Sequence, residues 1–291
     1  MRTMQRSKAL HAVIVVILIM LMMLTLYPVI YIISMSISGA DAVIKREVFL
    51  LPKGFSLESY KLVIENDQIW LSYANTLFYT VVGTALNLAL TLTCAYSVSR
   101  TEFVLRRGLM VFIVLTMMFN GGMIPNFLLI TNLGLYNTRW AILLPGAISA
   151  WNLIIARNYY MTTIPGEIPE SARMDGANEF TIFFRIILPL SGAITAVMAL
   201  FYAVGHWNMW FKAMLYTPDA ALHPLQLYLR KVLLLNSPDM LEGLDDAFER
   251  VAYAMQLKYA VIMVATLPIM CVYPLFIKHF AKGIMIGSLK E

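Results

Sequence analysis

The sequence predicts an all-α protein that crosses a membrane about six times. The 291 residues are 60% hydrophobic and only 13% charged, whereas a soluble domain carries about 25% charged residues. The mean hydropathy is +0.72. The apolar residues also gather in stretches close to the roughly 20 residues that a membrane-spanning helix needs. These observations indicate that lipid surrounds most of the chain.

Six apolar stretches are predicted to be the spans. Their approximate bounds are 10–37, 73–99, 109–130, 140–160, 186–208 and 259–277. The third is interrupted by Asn120-Gly121-Gly122 and by Pro125, and Gly and Pro are tolerated in such helices where neighbouring groups satisfy the backbone. Three basic residues precede the first stretch, as in a signal peptide. Its apolar run is far longer than a signal core of roughly 7–15 residues, so we expect it to be retained.

The basic residues predict the orientation of the spans. Three arginines lie in the short turn 100–107, whereas the turn 131–139 contains a single arginine. Lys and Arg in short loops favour the cytoplasmic side. Both termini are therefore predicted to lie in the cytoplasm, and the loops 41–72 and 212–258 outside.

The sequence contains little that could supply chemistry or energy. No Asp or Glu lies well inside a predicted span, although such residues usually mark proton and ion pathways. There is no GxxxxGK[ST] phosphate loop, no HExxH or GxSxG motif, and no Cys/His cluster. We therefore expect no metal site, no catalytic residue and an energy source on another chain. A membrane enzyme and an ion-coupled secondary transporter of a small polar solute are the alternatives.

The connector between the fourth and fifth predicted spans has the most informative motif. It reads IPGEIPESARMDGANEFTIFFRIILPL, from Ile164 to Leu190. Pro169 suits the first turn of a helix, and Glu170 then lies near the helix N-terminus, where a negative charge is favoured. Gly176 can end this helix or permit a sharp turn. The pattern predicts a short helix, a turn and entry into the next span.

This connector resembles the EAA loop of binding-protein-dependent ABC importer permeases. The family pattern is Glu-Ala-Ala, three residues, Gly, nine residues, Ile, one residue, Leu-Pro, and only Ser171 departs from it. The candidate coupling residues are Glu170, Ser171, Ala172, Asp175, Gly176, Ile186, Leu188 and Pro189. The resemblance implies that residues 165–190 form a coupling helix that docks into an ATP-binding subunit. An amphipathic connector lying on the membrane surface is the alternative.

The resemblance covers nearly the whole chain. Residues 121–160 look like the oligosaccharide branch of these permeases, with its smaller maltose-type permease, and more narrowly like permeases of the LplC/YtcP type. The C-terminal tail is similar to the Gly-containing tail that reaches the ATP-binding subunits in that family. The candidate tail contacts are Lys282, Gly283 and Gly287.

The resemblance implies a non-enzymatic permease that imports oligosaccharides in a bacterial cytoplasmic (inner) membrane. Its partners would be a second, related permease, two ATP-binding subunits that hold ATP and Mg²⁺, an extracellular solute-binding protein and membrane lipid, with no cofactor on this chain and no nucleic acid. The implied organisation is an N-terminal helix and extracellular loop at 1–70, a transmembrane core at 71–280 and a cytoplasmic tail at 281–291. The narrower resemblance suggests acidic, pectin- or alginate-derived sugars. The predicted outer loops, with acids and bases in near balance, give that choice no support.

Sugar recognition needs aromatic faces beside neutral hydrogen-bonding groups, and the end of the fifth span has both. The candidate pathway residues are Asn120, Asn152, Tyr202, Trp207, Asn208 and Trp210. The aromatic residues could instead form an interfacial belt, and the asparagines could bond between helices. His206 is expected to be structural. The acidic segment 237–250 could contact the binding protein or form a solvated helix.

The predicted orientation can be tested with introduced cysteines. Ser56→Cys and Ser237→Cys should react with a membrane-impermeant thiol reagent added to the outside of intact cells. Labelling of both sites only from the cytoplasmic side would contradict the orientation.

Overall fold

Helices make up nearly all of the structure. The computed structural model describes residues 2–119, 121–235 and 255–271, and no β-strand occurs among them. The α-helices are α1 (Arg2–Ser36), α2 (Ala40–Ile44), α3 (Glu58–Glu65), α4 (Asp67–Ser99), α5 (Arg106–Met118), α6 (Met123–Asn132), α7 (Trp140–Leu143), α8 (Ala150–Thr163), α9 (Glu167–Met174), α10 (Glu179–Thr181), α11 (Leu188–Leu190), α12 (Gly192–Trp207), α13 (Phe211–Tyr216), α14 (Leu225–Leu235) and α15 (Met255–Cys271). A π-helix, Ile182–Ile187, joins α10 to α11, and a 3₁₀ turn, Ala220–Leu222, precedes α14.

Two helices are long and apolar enough to cross a membrane alone. They are Leu10–Ser36 of α1, with 27 residues, and α4, with 33 residues. At about 1.5 Å per residue each exceeds the roughly 30 Å of a bilayer core. Within the described residues the number rises to four if two bent helix pairs each count as one span. Both long helices agree with the first and second predicted spans.

The third, fourth and fifth predicted spans are broken rather than continuous. In the third, α5 ends at Met118 and α6 begins at Met123, after Gly122 with a φ of +86°. In the fourth, Gly146 also has a φ of +86°, and the following α8 has only 14 residues. Positive φ is a conformation that glycine adopts at little cost and that ends a helix. In the fifth, the segment before α12 bends by 83° relative to it.

The chain divides into two units. The smaller contains Met1–Trp70 and Leu229–Leu267, and the larger contains Leu71–Tyr228 and Pro268–Glu291. In the smaller unit, the Ser34 hydroxyl donates a 2.7 Å hydrogen bond to the Leu50 carbonyl and so fastens the following loop to α1. The Gln256 side-chain amide donates to the Ser38 carbonyl, which ties α15 to the same place.

The main core of the larger unit joins α4, α8, α9, the π-helix and α12. Its aromatic centre is Tyr96, whose ring centroid lies 5.8 Å from that of Tyr160 and 5.2 Å from that of Phe183. Ala172 of α9 is 9% exposed and packs against this core. The connector between the fourth and fifth predicted spans is therefore fastened to the helix bundle along one face.

Helices α4 and α12 meet closely at Gly83. A Cβ atom added there would lie 2.5 Å from Nε2 of His206, well inside van der Waals contact. One turn further along α4, the Asn87 Oδ1 lies 2.6 Å from the same His206 nitrogen. Glycine at position 83 therefore allows the imidazole ring to reach Asn87.

Gly83→Ala should destabilise the protein although alanine is the better helix former. The added methyl group must displace the His206 ring and its hydrogen bond, at a cost of about 1–3 kcal/mol. Thermal unfolding of the purified protein in detergent measures this. Gly108→Ala in α5 is the control, because its added Cβ meets no atom within 4 Å. Equal melting temperatures for the two variants would contradict the close approach.

Candidate functional site: the EAA loop and the polar cavity

The short helix of the EAA loop, residues 165–190, ends in a hydrogen-bonded glycine turn. The Gly176 amide donates to the Arg173 carbonyl at 2.9 Å, and the Ala177 amide donates to the Ala172 carbonyl at 3.0 Å. This pair of bonds is the Schellman motif, which places its glycine in the left-handed region. Gly176 has a φ of +83°, as required. Apart from its two chain neighbours, no atom of the described residues lies within 4 Å of a Cβ added there, so backbone strain rather than crowding among those residues selects glycine.

The two faces of α9 differ in character. Pro169 and Ala172 are buried, and Ala172 packs against the main core. Glu170 and Ser171 are exposed on the other face, and Met174 at the C-terminal end is 88% exposed. The predicted motif residues on this helix are thus divided between one that anchors it and two that are open for contact.

Arg173 links α9 to its neighbours. Its Nε donates to the Glu179 Oε1 at 2.6 Å, and its Nη1 lies 3.7 Å from the Glu102 Oε1. The Glu179 hydrogen bond raises the pKa of Arg173, and a backbone hydrogen bond within Glu102 is the main cause of that carboxyl's lowered pKa. Exposed pairs of this kind contribute about 0–1 kcal/mol. Arg173 therefore orients the loop more than it stabilises the fold.

The last motif residues join the EAA loop to α12. Ile186 and Leu188 are partly buried against the main core, and Pro189 is exposed. Pro189 has no N–H to donate to the preceding turn, and the π-helix ends immediately before Leu188. The Ser191 amide then donates to the Ile187 carbonyl at 2.9 Å. These residues form the bend between the EAA loop and α12.

A second feature, the polar cavity, lies where α12 ends, and it has a volume of about 330 Å³. The lining residues are Asn87, Gly146, Phe201, Tyr202, Gly205, His206, Asn208, Met209, Trp210, Phe211 and Lys212. The Lys212 ammonium is partly buried and donates to the Pro145 carbonyl at 2.6 Å. An aromatic face, an amide and a cation therefore share one cavity.

Hydrogen bonds fix the wall of the polar cavity. The Asn87 amide nitrogen donates to the carbonyls of Gly146 and Ala147, at 3.3 and 2.6 Å. The Asn87 Oδ1 must therefore accept from His206, which places the imidazole proton on Nε2. The Tyr202 hydroxyl lies 2.7 Å from the Thr91 hydroxyl on α4. His206 is structural, as predicted, and so is Asn87.

The predicted pathway residues occupy different places. Tyr202, Asn208 and Trp210 line the polar cavity. Trp207 is 7% exposed and packs edge-on against Tyr73, with ring centroids 6.5 Å apart. Asn152 is also buried, in the first turn of α8.

Several predicted residues lie outside the described residues. They are Asn120, Lys282, Gly283, Gly287 and the segment 237–250. One residue that lines the polar cavity was missed. Lys212 was not singled out from the sequence. Its signal is a lone lysine directly after the aromatic end of an apolar span.

Comparisons with known proteins give the chain its family. It is 41% identical over 263 residues to the polygalacturonan/rhamnogalacturonan transport system permease protein YtcP of Bacillus subtilis (strain 168), covering 90% of this chain and 92% of that protein. It is 43% identical over 267 residues to the protein LplC of the same organism, covering 92% and 90%. No protein-family model matches the chain.

A solved structure agrees with these relatives. It is the crystal structure of a bacterial ABC transporter involved in the import of the acidic polysaccharide alginate, and one of its chains superposes with a TM-score of 0.85 at 36% identity. The match covers 94% of this chain and 97% of that chain. Fold and sites together define the permease subunit of an ABC importer, a membrane-embedded transporter subunit and not an enzyme. The chain belongs to the LplC/YtcP permeases of ABC sugar transport systems, and the secondary-transporter alternative is not favoured.

Proposed function

We propose that this permease imports acidic oligosaccharides that an extracellular solute-binding protein delivers. The observation that carries the proposal is the Lys212 ammonium beside Asn208 and Trp210 in the polar cavity. The names of two similar proteins support it, because alginate and polygalacturonan both carry a carboxylate on each sugar unit. The near balance of charge in the predicted outer loops is no objection, since a single local cation suffices to bind one carboxylate.

The chemistry of Lys212 fits a carboxylate ligand. An ammonium group has three donors, and the Pro145 carbonyl accepts from one of them. Charge-assisted hydrogen bonds to a carboxylate are stronger than neutral ones. The Trp210 ring and the Asn208 amide would complete the contacts to the sugar ring.

Lys212→Gln should weaken transport of acidic oligosaccharides selectively. The lost charge-assisted bond corresponds to about tenfold or more in apparent affinity. The measurement is uptake of galacturonate or alginate oligosaccharides, and of a neutral oligosaccharide, into vesicles that contain the whole importer.

Lys61→Gln is the matched control, because Lys61 is exposed on α3 and forms only a 3.9 Å pair with Glu65. Lys212→Arg should retain part of the uptake. Equal loss of acidic and neutral uptake, or no loss, would refute recognition of the carboxylate by Lys212.

The EAA loop is our candidate for the contact with the ATP-binding subunits. In this proposal the exposed Glu170, Ser171 and Met174 enter a cleft of that subunit, and Ala172 and the Arg173 bridge hold the helix in position. Two ATP-binding subunits would hold ATP and Mg²⁺, and a second, related permease would complete the pathway. This arrangement requires the loop and both termini to be cytoplasmic in a bacterial cytoplasmic membrane.

Gly176 variants separate backbone geometry from crowding. Gly176→Ala should reduce the recovery of ATP-binding subunits and the stimulation of ATP hydrolysis by sugar, since left-handed backbone costs an ordinary residue about 1–2 kcal/mol. Gly176→Asp should have the same effect through its added volume and charge, because aspartate, like asparagine, tolerates that region. Gly176→Asn should be milder, because asparagine tolerates that region.

The control is Gly166→Ala at the other end of α9, where φ is −62° and an added Cβ would lie 3.9 Å from the Glu170 Oε1, an ordinary van der Waals contact. Copurification and hydrolysis assays of each complex give the answer. Normal stimulation in Gly176→Ala and Gly176→Asp would remove the coupling role. Equal failure of the asparagine and alanine variants would indicate crowding by the partner.

A further inference from the structure

A second cavity lies at the end of α4, beside the EAA loop. This Arg100 cavity has a volume of about 410 Å³ and is bounded by the last turns of α4, the turn before α5 and the π-helix segment. Five aromatic side chains line it, among them Tyr96, Phe180 and Phe184. Phe180 is 78% exposed and Phe184 is 54% exposed. The cavity therefore combines a cation with an apolar, open rim.

The Arg100 guanidinium has donors that nothing in the described part of the chain satisfies. Its Nε and Nη2 atoms are buried and have no hydrogen-bond partner there. These two nitrogens form the side of the guanidinium that binds two oxygens of one carboxylate or phosphate at once. The Arg100 Cζ lies 4.5 Å from the centroid of the Tyr96 ring. The ring face attracts the positive charge, but it does not accept hydrogen bonds from both N–H groups.

The carboxylates nearest to Arg100 are already engaged. Glu102 and Glu179 line the same cavity, and both contact Arg173, at 3.7 and 2.6 Å. Their field reaches Arg100, but it does not replace hydrogen bonds to buried donors. A buried charged donor without a partner is costly. The two buried donors are therefore open to an anion from outside this part of the chain.

We propose that the Arg100 cavity binds the phosphate of an anionic phospholipid. Arg100 directly follows the 33-residue apolar helix α4, which places it at the depth of lipid headgroups. Basic pockets between helices at a membrane surface bind such headgroups. The exposed rings of Phe180 and Phe184 provide the apolar surface along which an acyl chain lies.

The site also has a consequence for the EAA loop. Arg173, at the end of α9, and Glu179, just after the Gly176 turn, both line the Arg100 cavity. A bound headgroup would therefore brace the loop from the membrane side. This inference depends on the membrane placement of the family and not on which sugar is carried.

Lipid binding to the purified importer, measured by native mass spectrometry, tests the proposal. Phosphatidylglycerol is the probe, phosphatidylcholine the neutral comparison and inorganic phosphate the free anion. Arg100→Gln should weaken phosphatidylglycerol binding by about tenfold, as expected for a lost charge-assisted bond. Arg107→Gln is the matched control, because it removes the same charge from the same turn but does not line the cavity. It should bind as the unmodified protein does.

Ser97→Asp is a second variant that keeps Arg100. It places a carboxylate three residues before Arg100 on the same helix face, where the two can pair. It should also lose phosphatidylglycerol, and it covers the case in which Arg100→Gln does not fold.

Three results would overturn the lipid proposal. The first is unchanged phosphatidylglycerol binding in both variants. The second is equal competition by inorganic phosphate or phosphatidylcholine, which would show that no anionic lipid is selected. The third is loss of the ATP-binding subunits with lipid binding intact, which would place the missing anion on a partner protein.

Discussion

Every backbone polar group within a bilayer must find its hydrogen-bond partner inside the protein, because lipid tails offer none. In this chain, polar side chains of α4 supply hydrogen-bond partners to backbone groups in broken parts of the larger unit. Its Asn75 amide donates to the carbonyls of Ala221 and His223, at 2.7 and 3.2 Å. Its Thr76 hydroxyl accepts from the Leu225 amide at 2.8 Å. Polar side chains of this one continuous helix thus satisfy the interrupted backbone at residues 146–147 and 221–225.

The same principle explains why the polar cavity has its present form. The chain turns at Gly146, where the carbonyls of Pro145, Gly146 and Ala147 lose their helical partners. Asn87 and Lys212 supply the missing donors. The side chains that stabilise the break are therefore the ones that line the cavity beside it. Some residues that stabilise the break also line the candidate sugar site, so substitutions of Asn87 should affect both the fold and sugar recognition. Lys212 differs, because its ammonium has further donors besides the one that bonds to the Pro145 carbonyl.

Different parts of the architecture were predictable to different degrees, for physical reasons. Uninterrupted apolar runs gave α1 and α4, since length and hydropathy alone decide them. Motif spacing located the EAA loop, and its glycine turn follows because a Schellman motif needs only local bonds. The interruption of the third span at Asn120-Gly121-Gly122 was visible in the sequence. The break at Gly146 could not be predicted, because the sequence does not distinguish a glycine with positive φ from one that is tolerated inside a helix. Lys212 was missed because its partner, Pro145, is distant in sequence.

Helix α1, unlike the broken helices, does not depend on α4 for its backbone hydrogen bonds. None of the residues in its apolar window is buried by the protein, so its apolar surface is available to lipid along that length. A helix satisfies its backbone bonds within itself, and 27 residues suffice to cross the bilayer core. Such a segment can enter the membrane without another helix of the chain to pack against it. During biosynthesis α1 would then act as the anchor that keeps the unfinished chain at the membrane while the broken helices, which depend on α4, wait for their partners.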